Sequence, residues 1–368
     1  MVCQVAATSG QNITLGVDEI MAVKAYTKWL NSHGGVLGRR WKLVEENDNS
    51  SPQQAAELVR KCVTQDHANF ILGPEETGTM AAGIPVADSL RTVMLTMGSG
   101  WNQGGVTSAD VHSYAFPGLY DVFYQDDLDT AQRLIAPRHL TRVAVLEDAV
   151  PGGLPNGSYM KSLCRTYHCN VVGVQKLQPG QTDDTPQVLN LMAAKPQIIV
   201  EGLIPGPDTI TAIKAIRAQS QTIPVSECST CWTSGFTQAA GGPSVLQNVY
   251  AWAPVTDMLN TLSPTGANQS VLSELRTYSS AMKAAGFGTP DDINNASQWW
   301  PAGQELTAAI KKAGSVDETA VMHALQHQKL QSLYIFWNRT PRNHAGLKRV
   351  VTLTETWSPN GQLQLYRP

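Results

Sequence analysis

The chain has 368 residues, a formal net charge of -3 and only 15% charged residues. This length exceeds the size at which one hydrophobic core usually stops growing, so we expect two lobes, and the charge gives no long-range attraction for nucleic acid or an anionic membrane. No apolar run reaches the ~18 to 20 residues of a membrane-spanning helix, and Met1 leads directly into a predicted strand rather than a secretory leader. We therefore expect either a cytosolic protein or one whose export signal is not part of this sequence.

The first predicted elements alternate between strand and helix. The segment CQVAATSG predicts a strand that ends in a small-residue loop, and helix 17–31 follows. Gly34 and Gly35 end that helix, because glycine adopts the left-handed conformation without steric cost. Strand 41–45 then leads through a polar loop to Pro52, which suits the first turn of a helix. This order of elements indicates a parallel sheet.

The same alternation continues through much of the chain. Further helices are predicted at 52–65, 157–167, 186–194, 207–219, 270–285, 299–313 and 317–327, and strands at NFILG, RVAVLED, NVVGVQKL and PQIIVEGL. The turn SPNGQ near the end of the chain predicts a hairpin. Two α/β series, joined near residues 117 to 125, predict an α/β fold with two doubly wound parallel-sheet lobes.

The cysteines allow a disulfide framework. Six are present: Cys3, Cys62, Cys164, Cys169, Cys228 and Cys231. The last four form two close pairs, CRTYHC and CSTC, each of which could close a small loop. In a sheet ordered 2-1-3, the helix between strands two and three crosses strand one, which would bring Cys62 onto Cys3. Three disulfides would favour an oxidising compartment, and buried free cysteines are the alternative.

Four loops are candidates for binding a ligand, because open parallel sheets bind ligands beyond the carboxyl ends of their strands. These loops are Thr8–Asn12, PEETGT with Glu75, Glu76, Thr77 and Thr79, GSGW with Ser99 and Trp101, and SECSTCW with Glu227 and Trp232. A turn or a helix cap explains any one of these residues equally well. Together they predict a lined cleft.

No catalytic or metal-binding motif stands out. HALQH places His323 and His327 one helical turn apart without the glutamate of a zinc-protease helix, so a solvated helix face explains them better. CSTC lacks thioredoxin-like surroundings, and GPEETGTMAAG lacks both a P-loop lysine and a dinucleotide fingerprint. We therefore expect no cofactor, no metal and no catalysis, with an enzyme acting in the cleft as an alternative.

Four further segments carry a family resemblance: LNSHGGVLGRRWKLVEENDNSSPQQAAELVRKCV, FILGPEETGTMAAGIPVAD, TDDTPQVLNLMAAKPQIIV and QWWPAGQELTAAIKKAGSVDETAVMHAL. In order and spacing, over nearly the whole chain, they resemble the type I periplasmic solute-binding proteins of the leucine/isoleucine/valine-binding group. That family has two doubly wound lobes joined by a three-strand hinge, with a solute between them. The resemblance implies lobe one at 1–118 and 251–333, and lobe two at 119–250 and 334–368.

The resemblance also implies which residues meet the solute. They are Glu76, Thr77 and Gly78, then Gly98, Ser99 and Gly100 beside Trp101, and from lobe two Tyr120 or Tyr124, Asn156, Leu203 and Glu227. The family usually has small hydroxyl residues where this chain has Glu75 and Glu76, a tyrosine at Asn156, and YDA where this chain has WPA at 300–302. These departures favour a solute other than a simple branched-chain amino acid.

The expected function is that of an exported solute-binding subunit of an ABC importer, periplasmic or at the cell surface, monomeric, and with a membrane permease as partner. The expected solute is a small, mainly apolar organic acid, aromatic or polycyclic. Tryptophans near predicted loops or lobe borders could stack on it, although core packing explains most of them: Trp101, Trp232, Trp252, Trp299 and Trp300. An amino acid whose ammonium meets Glu227 is one alternative, and a cytosolic sensor of the same fold that regulates gene expression is another.

Overall fold

A computed structural model describes residues 1–10, 13–96, 114–118, 122–149, 156–202, 206–228 and 235–367. The chain divides into two compact units. Unit 1 comprises Met1–Val122 and Leu262–Val351, and unit 2 comprises Phe123–Thr261 and Thr352–Pro368. The chain therefore passes from one unit to the other three times. Within the described residues, no helix combines the length and the apolar character needed to cross a membrane.

Unit 1 begins with alternating strands and helices: β1 (Val2–Ala6), α1 (Ile13–Ser32), β2 (Leu43–Asn47), α2 (Pro52–Thr64), β3 (Phe70–Leu72), α3 (Thr77–Ser89), β4 (Val93–Thr96) and β5 (Ala115–Pro117). The described strands form a five-stranded sheet in the order β2-β1-β3-β4-β5, with all neighbours parallel. One face of the sheet packs on α2 and α3, where Val5 and Ile71 meet Val59 and Met80 in a buried core.

Helix α1 begins four residues before the predicted helix, at Ile13 instead of residue 17. A β-branched residue, a threonine and a glycine in its first turn weaken the helical signal in the sequence. Gly16 is required there for another reason: a Cβ atom on it would lie 2.1 Å from the carbonyl oxygen of Ala7. The start of α1 therefore packs directly on the backbone that follows β1.

Unit 2 continues the alternation: α4 (Val122–Thr130), which runs into a π-helical turn (Ala131–Ile135), β6 (Arg142–Asp148), α5 (Asn156–Tyr167), β7 (Asn170–Leu177), α6 (Thr185–Ala193), β8 (Ile198–Gly202), α7 (Gly206–Gln219), β9 (Val225–Cys228), α8 (Phe236–Ala240), β10 (Val249–Trp252) and α9 (Val255–Thr261). Alternate residues of β6 serve two cores. Val145 packs with Met160 of α5, whereas Leu146 packs with Val188 of α6 and Ile213 of α7. Helices thus cover both faces of this sheet.

The second segment of unit 1 contains α10 (Ala267–Ala285), α11 (Pro290–Asn295), α12 (Trp300–Ala313), α13 (Glu318–Leu325), β11 (Lys329–Ser332), β12 (Ile335–Asn338) and β13 (Leu347–Val350). The last three strands form an antiparallel sheet of their own. Trp300 is 1% exposed and packs edge-on against Tyr26 of α1, at 4.9 Å between ring centroids. Trp299 is also buried. Both side chains therefore belong to the core of unit 1.

The chain returns to unit 2 with β14 (Thr354–Trp357) and β15 (Leu363–Leu365). These antiparallel strands form the predicted hairpin, with Gly361 in its turn at φ 79°. The described strands of unit 2 form a seven-stranded sheet in the order β15-β14-β10-β9-β8-β6-β7, in which the strands from β10 to β7 are parallel. The predicted class, two doubly wound α/β sheets, is confirmed.

The two units differ from the predicted lobes at three stretches. Unit 1 continues to Val122, whereas the predicted lobe one ends at residue 118. Residues 251–261 belong to unit 2, because β10 pairs with β9 and β14 inside the seven-stranded sheet. Residues 334–351 belong to unit 1, because β12 and β13 pair with each other and, through β12, with β11.

Two of the three possible disulfides are present. Cys3 on β1 is bonded to Cys62 on α2, as the strand order 2-1-3 predicts, and Cys164 is bonded to Cys169. Cys231 and the side chain of Cys228 lie outside the described residues, so their pairing stays a prediction.

Candidate functional site

The loops that follow β1 and β2 are joined to each other at the carboxyl edge of the unit 1 sheet. The backbone N–H of Thr8 donates to Asn47 Oδ1 at 2.9 Å, and Asn47 Nδ2 donates to Ser9 Oγ at 3.0 Å. Ser9 Oγ also donates to Asn49 Oδ1. The polar cluster that follows the second strand therefore holds the small-residue loop after β1 in place.

Helix α3 begins at this same edge with an acidic cap. Glu76 has extended backbone angles, and its Oε2 accepts a 2.9 Å hydrogen bond from the N–H of Thr79. The carboxylate lies over the first turn, since a Cβ atom on Gly78 would be 3.1 Å from that oxygen. Thr77 is the first residue of α3, and its side chain lies outside the described residues. Two of the three contacts predicted for this loop, the carboxylate of Glu76 and the backbone of Gly78, therefore lie close together.

Three more carboxyl groups lie close behind this loop. Glu75 Oε1 accepts from the backbone N–H of Ala7 at 3.4 Å, and Glu19 of α1 accepts from Gln4 Nε2 at 3.3 Å. Burial raises the pKa of Glu75 to about 7, and the charge of Asp48 adds to the rise. Burial also raises the pKa of Glu19 well above its usual range, with the charge of Glu75 as the second cause. Burial therefore favours the protonated form of Glu19, which shares a hydrogen bond with Glu75.

In unit 2, Asn156 lies at the start of α5 and is 1% exposed. Its Nδ2 donates to Asp127 Oδ1 at 3.3 Å. Gly202, the last residue of β8, leaves room for it, because a Cβ atom there would lie 2.1 Å from Asn156 Oδ1. Asn156 is thus held between α4 and the end of β8.

An acidic side chain accepts a hydrogen bond from a backbone N–H in the first turn of α5, as in α3. The N–H of Gly157 donates to Glu147 Oε2 at 3.0 Å. Glu147 lies near the carboxyl end of β6, and its other oxygen is 3.4 Å from Lys176 Nζ. The N–H of Gly157, which could otherwise donate to an external anion, is therefore already hydrogen-bonded to the carboxylate of Glu147.

Tyr124 lies on α4 and is half-buried. Its ring meets the ring of Tyr159 of α5 edge to face, at 5.4 Å between centroids. The same ring packs against the core cluster that contains Met160 and Leu163. These contacts orient the side chain from within unit 2.

The remaining predicted site residues fall elsewhere. Gly98, Ser99, Gly100, Trp101, Tyr120 and Leu203 lie outside the described residues, as does Trp232. Glu227 is part of β9, but its side chain is outside them too. Trp252 is half-buried on β10 in unit 2.

Sequence reasoning missed the residues that support the site. Glu19 and Asp127 lie inside helices, where nothing local marks them as buried acids. Glu147 could have been predicted as a strand-end acid, since the apolar strand RVAVLED ends in two acidic residues. No group of three His, Cys, Asp or Glu residues in the described part of the chain could hold a metal ion.

Known proteins resemble this chain over almost its entire length. The model of the family described as Periplasmic binding protein matches residues 4–361. The Pseudomonas aeruginosa protein named Amino acid binding protein is 21% identical over 331 residues, which are 88% of this chain and 82% of that protein.

Two solved structures show the same fold. One is the solute binding protein of an ABC transporter from R. palustris in complex with 4-hydroxybenzoate, with TM-score 0.78, 15% identity and coverage of 98% of this chain and 94% of that chain. The other is the branched-chain amino acid transporter substrate binding protein LivJ from Streptococcus pneumoniae in complex with isoleucine, with TM-score 0.74, 15% identity and coverage of 100% and 99%. The chain therefore belongs to the periplasmic binding protein family and has the type I fold of these structures.

Proposed function

We propose that this protein is the solute-binding subunit of an ABC importer and that it binds a small, mainly apolar or aromatic organic acid. The proposed site lies at the carboxyl ends of the strands and includes Glu76, Thr77 and Gly78 of unit 1 and Tyr124 and Asn156 of unit 2. The remaining proposed contacts are Gly98, Ser99, Gly100, Trp101, Tyr120, Leu203 and Glu227. The observation that carries the proposal is the family match over residues 4–361, joined to a fold shared with a 4-hydroxybenzoate complex.

An amino acid is the second candidate solute. The named relative from Pseudomonas aeruginosa and the isoleucine complex support it. The local chemistry supports it as well, because the carboxylate of Glu76 lies at the start of α3, where a ligand ammonium would find an acceptor. The two candidates share an acid group and differ in the second polar group of the solute.

The proposed location is the periplasm or the cell surface, and the proposed partner is the membrane permease of the importer. Two disulfides support this location, because such bonds persist in oxidising compartments. The rival candidate is a cytosolic sensor of the same fold that regulates gene expression. Thiol titration of the protein isolated from its native cell separates them: reduced Cys3, Cys62, Cys164 and Cys169 would contradict export.

The direct test is to identify what the protein binds. Mass spectrometry of molecules that copurify with it, followed by calorimetry with aromatic acids, bile-acid-like steroids and amino acids, should yield one class that binds. A true ligand should also raise the unfolding temperature as its concentration increases, with about 2.7 kcal/mol of added stability at 100 times Kd. Turnover of the bound molecule, or the absence of any bound solute, would contradict the proposal.

A further inference from the structure

A groove lies between the end of α1 and the second half of α10, both in unit 1. Its volume of about 630 Å³ falls within the roughly 300 to 1,000 Å³ of known small-molecule pockets. Because α1 connects two parallel strands, it runs from the carboxyl edge of the sheet to the opposite edge. The groove begins at Lys28, roughly 18 Å along α1 from Gly16 at the helical rise per residue. It is therefore separate from the unit 1 part of the candidate site.

The groove is basic, although the whole chain carries a small negative charge. Lys28 and Arg276 line it, and no aspartate or glutamate of the described chain does. Lys28 Nζ donates to the carbonyl oxygen of Ala284 at 2.6 Å, near the end of α10, where a cation is favourable. Arg276 has no such role, because its exposed guanidinium forms no hydrogen bond or ion pair with any described residue. The acidic residue of α10, Glu274, accepts instead from Gln304 Nε2 at 2.8 Å.

Trp29 adds an aromatic surface to the same groove. Its indole ring is half-buried and packs on Tyr26 and Trp300, at 5.7 and 5.8 Å between ring centroids. The ring of His33 lies 4.8 Å from that of Trp29, and its Nδ1 donates to the carbonyl oxygen of Trp29 at 2.8 Å. These contacts hold the indole in one orientation, so a flat ligand can stack on it without first ordering the side chain.

We propose that this groove is a second binding site, which takes a small aromatic anion. The aromatic group of the ligand stacks on Trp29, and its carboxylate or phosphate pairs with Arg276, because a planar guanidinium offers two parallel hydrogen bonds to either anion. Trp29 alone would favour any apolar ring, and Arg276 alone any anion. Together they favour a molecule that carries both groups. This proposal does not depend on which solute the importer carries.

The test uses four probes that separate the ring from the charge. The first two, 2-naphthoate and 2-naphthyl phosphate, carry the aromatic group and one of the two anions. The third, 2-naphthol, lacks the anion, and the fourth, cyclohexanecarboxylate, lacks the aromatic ring. Binding is followed through the indole N–H signal of Trp29 in heteronuclear NMR, which its loss in Trp29→Phe identifies among nine tryptophans. This signal reports on the groove rather than on the candidate site at the strand ends.

Three variants accompany the wild-type protein. Arg276→Gln removes the charge of an exposed side chain, and Arg276→Lys keeps the charge but loses the planar donor pair. Arg60→Gln makes the same change as the first variant at an exposed position on α2 and is the matched control. Unfolding temperatures of the three variants, compared with that of the wild-type protein, separate a loss of binding from a loss of folding.

We expect both aromatic anions to shift the Trp29 signal to saturation and to bind at least about tenfold more tightly than 2-naphthol and cyclohexanecarboxylate. Arg276→Gln should weaken their binding about tenfold, Arg276→Lys should weaken it less, and Arg60→Gln should leave it unchanged. The aromatic anion that binds more tightly identifies a carboxylate or a phosphate as the preferred group.

The proposal is overturned if neither aromatic anion moves the Trp29 signal, if 2-naphthol binds as tightly as the anions, or if Arg276→Gln binds them as the wild-type protein does. Each of these results concerns the groove alone. The function proposed above would stand unchanged, because its own test is the identity of the copurifying solute.

Discussion

Arg339 Nη2 donates a 2.6 Å hydrogen bond to Glu305 Oε2, and neither side chain is exposed to solvent. The same guanidinium donates from Nη1 to the carbonyl oxygen of Pro117 at 2.9 Å. Arg339 follows β12, Glu305 lies on α12 and Pro117 ends β5. One buried charge pair therefore joins three elements of unit 1 that lie far apart in the sequence.

Removing one partner of this pair should be strongly destabilising. Glu305→Gln leaves a buried guanidinium without its counter-charge, so we expect the free energy of unfolding to fall by about 3 to 5 kcal/mol. Urea denaturation followed by circular dichroism measures the loss. In contrast, Glu45→Gln breaks the exposed pair with Lys24 and should cost about 1 kcal/mol or less. Equal losses from both changes would contradict this account of Glu305.

The buried carboxyl of Glu75 predicts a pH dependence of stability. Burial raises its pKa from the ordinary 4.5 to about 7, so the folded state binds the proton more tightly than the unfolded state. Its contribution is therefore fully present below about pH 4.5 and is lost as the pH rises through about 7. In Glu75→Gln, denaturant midpoints measured from pH 5 to pH 8 should fall less steeply than in wild-type protein. An unchanged slope would show that Glu75 is not the titrating group.

The two disulfides should contribute unequally to stability. In the chain-entropy model, the bond between Cys3 and Cys62, with a sequence separation of 59, stabilises by about 4 kcal/mol, and the bond between Cys164 and Cys169, with a separation of 5, by about 2 kcal/mol. Thermal unfolding of the two double alanine variants should therefore show a larger loss for the first pair. A larger loss for the second pair would exclude loop closure as the dominant cause.

Gly303 should resist substitution because of its neighbour. A Cβ atom on it would lie 2.3 Å from Cδ1 of Tyr26, a buried side chain held by a 2.8 Å hydrogen bond to Thr307. We expect Gly303→Ala to lower the free energy of unfolding by about 1 to 3 kcal/mol through overpacking between α1 and α12. At Gly288 the nearest neighbour of an added Cβ, Cγ of Lys283, is 3.5 Å away. Gly288→Ala is thus the control, and a similar loss there would refute the steric explanation.

Local signals in the sequence predicted those elements whose ends are set by neighbouring residues. Pro52 indicated the start of α2, and the structure adds the cap, Ser51, which accepts from the N–H of Gln54. The bond between Cys3 and Cys62 was also among the possible disulfides, because in a sheet ordered 2-1-3 the crossover helix passes over strand one. The short strands β11 to β13 were not predicted, since segments such as KLQS carry no clear alternation.

The candidate site could be predicted only in outline. Strand ends and the loop with Glu76 were recognisable, because parallel sheets bind ligands at that edge. The burial of Glu19 was not, since it depends on how α1 packs over β1 and β3. The environment of Asn156 depends in turn on a glycine 46 residues later, Gly202, and no local pattern links the two.

The three passages of the chain between the units have a consequence for biosynthesis. The sheet of unit 2 is complete only when β14 has paired with β10, and unit 1 lacks β11 to β13 until residue 350 has been made. Because a ribosome adds roughly 5 to 20 residues per second, both halves must wait many seconds with partly uncovered cores. The nascent polypeptide is therefore expected to need a holding chaperone until the residues of β14 have emerged.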